Sequence, residues 1–152
     1  MNILLVYPKI PSTFWSFEAA LNIISKKSAE PPLGLLTVAA MLPEDWNLKL
    51  IDMNVTQIID QDILWADYIF LSGMNVQINS FRNVIKRANI LGTKIVAGGP
   101  LATTQYKDFL GVDHFVLNEA EITLPAFLRD LENGNPVEVY STNEFPDITK
   151  SP

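Results

Sequence analysis

Short, almost continuously apolar runs alternate along this chain with segments in which apolar residues recur at helical spacing. From Asn2 to Tyr7 nearly every residue is apolar, and Pro8 and Pro11 then end the run. A run of that length fits a strand buried on both faces better than a helix. Leu33 to Leu42, opened by Pro31-Pro32 and stopped by Pro43, reads as a buried helix starting behind proline. Leu48 to Met53 alternates and turns at Asp52, giving a second strand, and Thr56 to Trp65 places Ile58, Ile59 and Ile63 near helical spacing. Tyr68 to Leu71 is a third, fully apolar strand. Gln77 to Leu91 sets Phe81, Val84, Ile85, Ala88 and Leu91 on one face and Arg82, Lys86 and Arg87 on others, a helix that Gly92 closes. Lys94 to Ala97, Asp113 to Leu117 and the edge segment Val137 to Tyr140 read as strands four to six. Between them lie a weak helix near Thr103 to Phe109 and a stronger one over Glu119 to Leu131, ended by Asn133-Gly134. Lys9 to Pro32 carries Phe14, Trp15 and Phe17 and then a helical turn or two through Ile23 and Ile24. It is more than a connector, since structureless loops seldom exceed about 15 residues.

Strands alternating with helices at this spacing imply parallel β-α-β units. The predicted fold is α/β: a doubly wound, mostly parallel sheet of five to six strands, Rossmann-like or flavodoxin-like. Residues 1–140 form the domain. Residues 141–152, with Asn143-Glu144-Phe145-Pro146-Asp147, follow no period and read as a linker toward a further C-terminal domain. Ligands of such sheets bind beyond the carboxyl ends of the strands, where strand order reverses. The segments that matter are therefore 7–12, 52–54, 72–76, 98–101 and 117–121.

Composition narrows the chemistry. Only 18% of residues are charged, below the roughly 25% of an average soluble domain, so apolar surface is in excess. A net charge of −6 opposes phosphate neutralisation, which makes nucleic acid an unlikely partner. Without cysteine the chain forms no disulfide, thiolate zinc site or Cys-ligated iron–sulfur cluster. The start lacks a secretory pattern, and no apolar stretch reaches the roughly 18 residues of a membrane span. These features point to a cytoplasmic protein.

Several residues at the strand ends have two readings. Ser72-Gly73-Met74 and Gly98-Gly99 bring glycine to neighbouring strand ends, either for turn geometry or to let a flat, bulky ligand approach backbone. Asp52 stands where an acidic residue binds ribose in nicotinamide enzymes, but the turn Tyr7-Pro8-Lys9-Ile10-Pro11-Ser12 has no glycine to cradle a pyrophosphate. Only Ser12 and Thr13 suggest a flavin phosphate loop there, and the acidic pair of a phospho-receiver is missing. Glu119 and Glu121 suit either acid–base work or a helix start. The single histidine, His114, reads as a structural hydrogen-bonding residue. Phe14, Trp15 and Phe17 cover either a ligand or a packing partner.

The chain resembles the cobalamin-binding domain at the N-terminus of B12-dependent radical SAM proteins. Ile3-Leu4-Leu5-Val6-Tyr7-Pro8, Pro31-Pro32-Leu33-Gly34-Leu35, Asp52, Ser72-Gly73-Met74, Ala97-Gly98-Gly99-Pro100 and Asn118-Glu119-Ala120-Glu121 carry the resemblance. The last is similar to a Gly-Glu-Gly-Glu turn with both glycines replaced. The resemblance spans nearly the whole chain, through Glu144-Phe145-Pro146-Asp147.

It implies that cobalamin rests its lower face on the carboxyl edge of the sheet and inserts its nucleotide tail between strand ends. Ser72 and Met74 match a Ser-x-Leu element along the tail, and Gly98 and Gly99 leave room for the benzimidazole. The implied contact set is Tyr7, Pro8, Asp52, Asn54, Ser72, Gly73, Met74, Asn75, Gly98, Gly99, Pro100, Leu101, Asn118 and Glu119. The Asp-x-His-x-x-Gly motif that supplies a cobalt ligand elsewhere in the superfamily is absent, so no histidine of the first loop reaches the metal. S-adenosylmethionine and a 4Fe-4S cluster belong to the partner radical SAM domain of the same protein, with methyl transfer as the implied reaction. This chain is assigned no catalytic or metal-ligating residues. Two other readings stand beside this one: a cofactor-free α/β docking or regulatory module, and a small flavodoxin-like enzyme.

Overall fold

The computed structural model describes residues 1–12, 31–147, 149, 151 and 152. The aromatic group at 14–17 and the helical turns expected near Ile23 and Ile24 lie outside them. Among the described residues six strands form one sheet: β1 (Asn2–Tyr7), β2 (Asn47–Asp52), β3 (Tyr68–Ser72), β4 (Lys94–Gly98), β5 (His114–Val116) and β6 (Val139–Tyr140). Their order is β2-β1-β3-β4-β5-β6, and every pair is parallel. The helices are α1 (Leu33–Met41), α2 (Asp60–Trp65), α3 (Ile78–Leu91), α4 (Gly99–Gln105) and α5 (Ala120–Glu132).

The apolar runs form central strands because both faces of each are covered. Leu4, Val6, Ile69, Leu71, Ile95, Ala97 and Phe115 pack with Ile63 of α2, Phe81 and Val84 of α3 and Leu101 of α4. Their neighbours in sequence, Ile3, Leu5, Tyr68, Phe70, Val96 and Val116, pack with Leu35 of α1 and Leu124 and Phe127 of α5. The period-two alternation of strand side chains divides them between the two layers. On α3, Phe81, Val84, Ile85 and Ala88 are buried, and Gly92 ends the helix at φ 77, a left-handed value that glycine adopts at little cost.

Several boundaries differ from the sequence expectation. The segment Leu33–Met41 is helical, but it is not a buried helix: Leu35 is buried while Leu33 is 66% and Leu36 44% exposed. Apolar residues run all the way round α1, so a helix lying on one side of a sheet must leave some of them outside. The helix expected over Thr56 to Trp65 begins only at Asp60, because the Asp52 carbonyl takes the N–H groups of Val55 and Thr56 in a turn. The helix expected near Thr103 begins at Gly99 and gives way to a 3₁₀ turn at Tyr106–Asp108. Pro100 suits that first turn, and the Gly73 carbonyl accepts the Leu101 N–H at 3.0 Å. Strand β6 keeps only Val139 and Tyr140 of its expected span. No helix among the described residues is long and apolar enough to cross a membrane.

Asp62 joins α2 to the sheet. Its carboxylate accepts Lys49 Nζ of β2 at 2.5 Å and the Ile59 N–H at 3.0 Å. Burial pushes this carboxyl up, but the Lys49 and Ile59 hydrogen bonds and the charges of Lys49 and Arg87 outweigh it, holding it below its ordinary 3.8. A depressed folded value means that Asp62 stabilises the fold above 3.8 and loses that contribution as the pH falls through the folded value. Asp62→Asn is expected to destabilise by about 1–2 kcal/mol at neutral pH, since Lys49 is partly solvated. The gap to wild type should narrow as the pH is lowered past 3.8, read from urea midpoints along a pH series.

Candidate functional site

The parallel register sets Tyr7 opposite Asp52, Val6 opposite Leu71 and Ser72 opposite Gly98. Four strands therefore end level, and their loops share one edge. The loop after β1 is tied down from two sides. Buried Gln77 donates from Nε2 to the Pro8 carbonyl at 2.5 Å and accepts the Met74 N–H at 2.7 Å. Asn54 accepts the Ile10 N–H at 2.8 Å, and Asp52 in turn accepts the Asn54 N–H at 2.9 Å and its side-chain amide at 2.7 Å. Ser80 of α3 accepts the Lys9 N–H at 2.9 Å. The ends of β1, β2 and β3 thus form one cross-braced surface.

Beside that surface, on the face covered by α1 and α5, lies a cavity of about 280 Å³. Gly34, Thr37 and Val38 of α1 form one side, Phe70, Ser72, Val96, Gly98 and Val116 line it from the sheet, and Asn118 to Glu121 with Leu124 close it at the start of α5. Small-molecule pockets usually run from about 300 to 1,000 Å³, so this one is sized for a ring-sized part of a larger ligand. The glycines answer to geometry in the sheet as well. A Cβ on Gly98 would stand 2.7 Å from the Val116 carbonyl oxygen, and one on Gly99, at φ +79, would fall on the Ser72 hydroxyl. Close packing of β4 against both neighbours demands glycine there, and the same two residues leave bare backbone on the cavity wall.

The turn after β5 is built on Asn118 at φ 63, a left-handed conformation that asparagine tolerates better than most residues. Its N–H donates to Thr103 Oγ1 at 2.9 Å, and its side-chain amide donates to the Thr142 carbonyl. The Glu119 carbonyl accepts the N–H groups of Ile122 and Thr123 and the Thr123 hydroxyl, so this residue opens α5. The Glu121 carboxylate accepts the Ser151 hydroxyl at 2.7 Å.

Of the residues singled out from sequence, Ser72, Gly98, Gly99, Pro100, Asn118 and Glu119 converge on the cavity. Tyr7, Pro8, Asp52 and Asn54 belong to the braced surface beside it, together with Gly73 and Met74, whereas the Asn75 side chain meets Thr104 and Gln105 of α4. Leu101 is fully buried in the core of the opposite layer. The α1 wall was missed as a site, although Pro31-Pro32-Leu33-Gly34-Leu35 stood out as a motif. So was Gln77, whose only signal was a polar residue opening an apolar helix. His114 lies at the amino end of β5, where its Nδ1 donates to the Val137 carbonyl at 2.9 Å and its ring packs between Tyr68 and Phe127. Among the described residues no cluster of three or more His, Asp or Glu side chains could hold a metal ion.

Comparison with known proteins gives three matches. A family model described as "B12 binding domain" matches residues 20–128. An uncharacterized methyltransferase of Synechocystis sp. is 41% identical over 154 residues, covering 100% of this chain and 29% of that protein. The hopanoid C-2 methylase of Rhodopseudomonas palustris is 30% identical over 156 residues, covering 99% of this chain and 30% of the methylase. The chain spans about three tenths of the length of these curated relatives. No solved structure matches it at a significant level.

The brace is open to direct test. Gln77→Leu keeps the volume but strands the Met74 N–H and leaves the Pro8 carbonyl only the Asn54 amide at 3.4 Å, and is expected to destabilise by about 1–3 kcal/mol. The measurement is the urea midpoint, with hydrogen exchange at Met74 reporting the local loss.

Proposed function

The chain belongs to the B12-binding domain family, and from that premise we propose that it holds cobalamin at the carboxyl edge of its sheet with the nucleotide tail in the cavity. The cavity carries this reading. At about 280 Å³ it suits a flat heterocycle and excludes a corrin ring, which leaves the ring to lie on the exposed edge. Val96, Val116 and Leu124 would exclude water from the tail, the Ser72 hydroxyl would orient it, and the bare backbone of Gly98 and Gly99 would let it lie close to the sheet. Pro8, Met74 and Asn75 would support the ring from below, on loops that Gln77 and Asn54 hold rigid.

Bound cobalamin would supply a cobalt centre able to carry a methyl group, chemistry that belongs to the cofactor. The protein's share is positioning. No histidine of this chain would ligate the cobalt, since the first loop has none and His114 is tied to Val137. The names of the two relatives, a methyltransferase and a methylase, support methyl transfer by a longer protein. In that protein we place S-adenosylmethionine and a 4Fe-4S cluster in a radical SAM domain beyond residue 152, because this chain has no cysteine to ligate iron. The chain by itself would bind and would not catalyse.

Purified chain mixed with hydroxocobalamin is expected to shift the visible spectrum and to carry the corrinoid through gel filtration. Dicyanocobinamide, which lacks the nucleotide tail, should bind at least about tenfold more weakly, a difference of about 1.4 kcal/mol. Ala120→Phe, which fills the cavity from its half-buried rim, should weaken hydroxocobalamin binding by a similar factor while leaving cobinamide binding unchanged. A folded chain, verified by circular dichroism, that retains no corrinoid would leave the cofactor-free docking module as the reading. A yellow flavin carried through purification would favour the flavodoxin-like enzyme.

A further inference from the structure

We infer that Asn118 is a positioning residue that fastens the C-terminal segment to the rim of the cavity, so that filling the cavity and seating this segment are coupled. What fills the cavity rests on the cobalamin reading; the fastening does not. The left-handed φ of 63 at Asn118 needs no side chain, and glycine would meet it at least cost. Asparagine adds an amide, and the structure uses it: Nδ2 donates to the Thr142 carbonyl, just past β6. A second contact lies farther along the same segment, where the Ser151 hydroxyl donates to Glu121 at 2.7 Å. Asn118 and Glu121 both line the cavity. Thr142 and Ser151, in a stretch expected from its composition to lead away from the domain, are thus attached to cavity residues three positions apart.

The turn that carries Asn118 has little freedom of its own. Its N–H is held by Thr103 of α4, and Glu119 opens α5 one residue later. A group entering the cavity therefore meets a turn that cannot retreat without disturbing α4, α5 or the Thr142 contact. A group filling the cavity leaves this turn less room to fluctuate, which holds the Asn118 amide in place and tightens its contact with Thr142. Between the two attachments Glu144 is exposed and Phe145 is 89% exposed, so a protease reaches the Glu144–Phe145 bond once the segment lifts far enough to enter its cleft.

Limited digestion with a glutamate-specific protease, followed by mass spectrometry of the released 145–152 peptide, measures this lifting. Asn118→Gly keeps the backbone conformation and removes the amide, and it should raise the cleavage rate about three- to tenfold, as loss of one hydrogen bond implies. Saturating hydroxocobalamin should slow cleavage in wild type by a comparable factor and, in Asn118→Gly shown by gel filtration to retain the corrinoid, leave the rate where it was. Asn118→Asp, which keeps the shape and the tolerance for φ 63 but cannot donate, should behave like the glycine variant and stands in if that variant fails to fold. Equal cleavage of wild type and both variants without cofactor would overturn the fastening. Retention of the corrinoid by wild type with an unchanged cleavage rate would overturn the coupling alone. No retention at all would overturn the cobalamin reading and the coupling with it.

Discussion

The parallel ladder joining β1 to β2 and β3, and β3 to β4, holds Tyr7 level with Asp52 and Ser72 level with Gly98. Everything at the carboxyl edge follows from that register. A slip of one residue in any of these strands would turn its side chains to the other layer and bury Ser72 or expose Leu71. The register is held because both faces are apolar, with Leu71 locked among the residues under α3 and α4 and Phe70 among those under α1 and α5. Two-sided burial of the central strands is thus what presents a hydroxyl and two glycines to one cavity.

At Gly98 and Gly99 the packing of the sheet and the shape of the cavity share a cause. The strands come so close that Val116 and Ser72 occupy the space a side chain would need. The wall that results is backbone, flat enough for a planar group to lie against. A substitution here would strain the sheet as well as narrow the cavity. Rim positions such as Ala120 separate the two, because they border the cavity without filling the space between strands.

The edge divides into two regions of different character. From Pro8 through Asn54 to Gln77, polar side chains are spent on bracing loops against one another, which makes a stiff surface without demanding that any of them touch a ligand. From Ser72 to Leu124 the walls are apolar or bare backbone and enclose a volume. A large cofactor with a flat tail needs both, a platform and a slot. The C-terminal segment borders the slot through Asn118 and Glu121.

The order of strands and helices, the two-layer division of apolar residues and the strand-end positions of Ser72, Gly98 and Gly99 were legible in the amino-acid sequence, because periodicity and glycine act locally. Asn118 and Glu119 entered through resemblance in a short turn, and both line the cavity. Which strand ends form a cavity was not legible. Leu101 follows Pro100 directly, yet it turns into the opposite layer as α4 begins; Gly34, Thr37 and Val38 are more than thirty residues from Ser72 in sequence, yet they face it across the cavity. Gln77 looked like the first residue of a helix and is the brace between β1 and β3. Pattern along a chain reports which face of its own element a residue occupies, whereas a cavity or a brace exists only where separate elements meet. The sequence by itself determined an α/β layer structure with its strand-end loops at one edge. Tertiary packing decided where that edge is open, because the distance between α1, α5 and the strand ends is set by side chains that no local period relates.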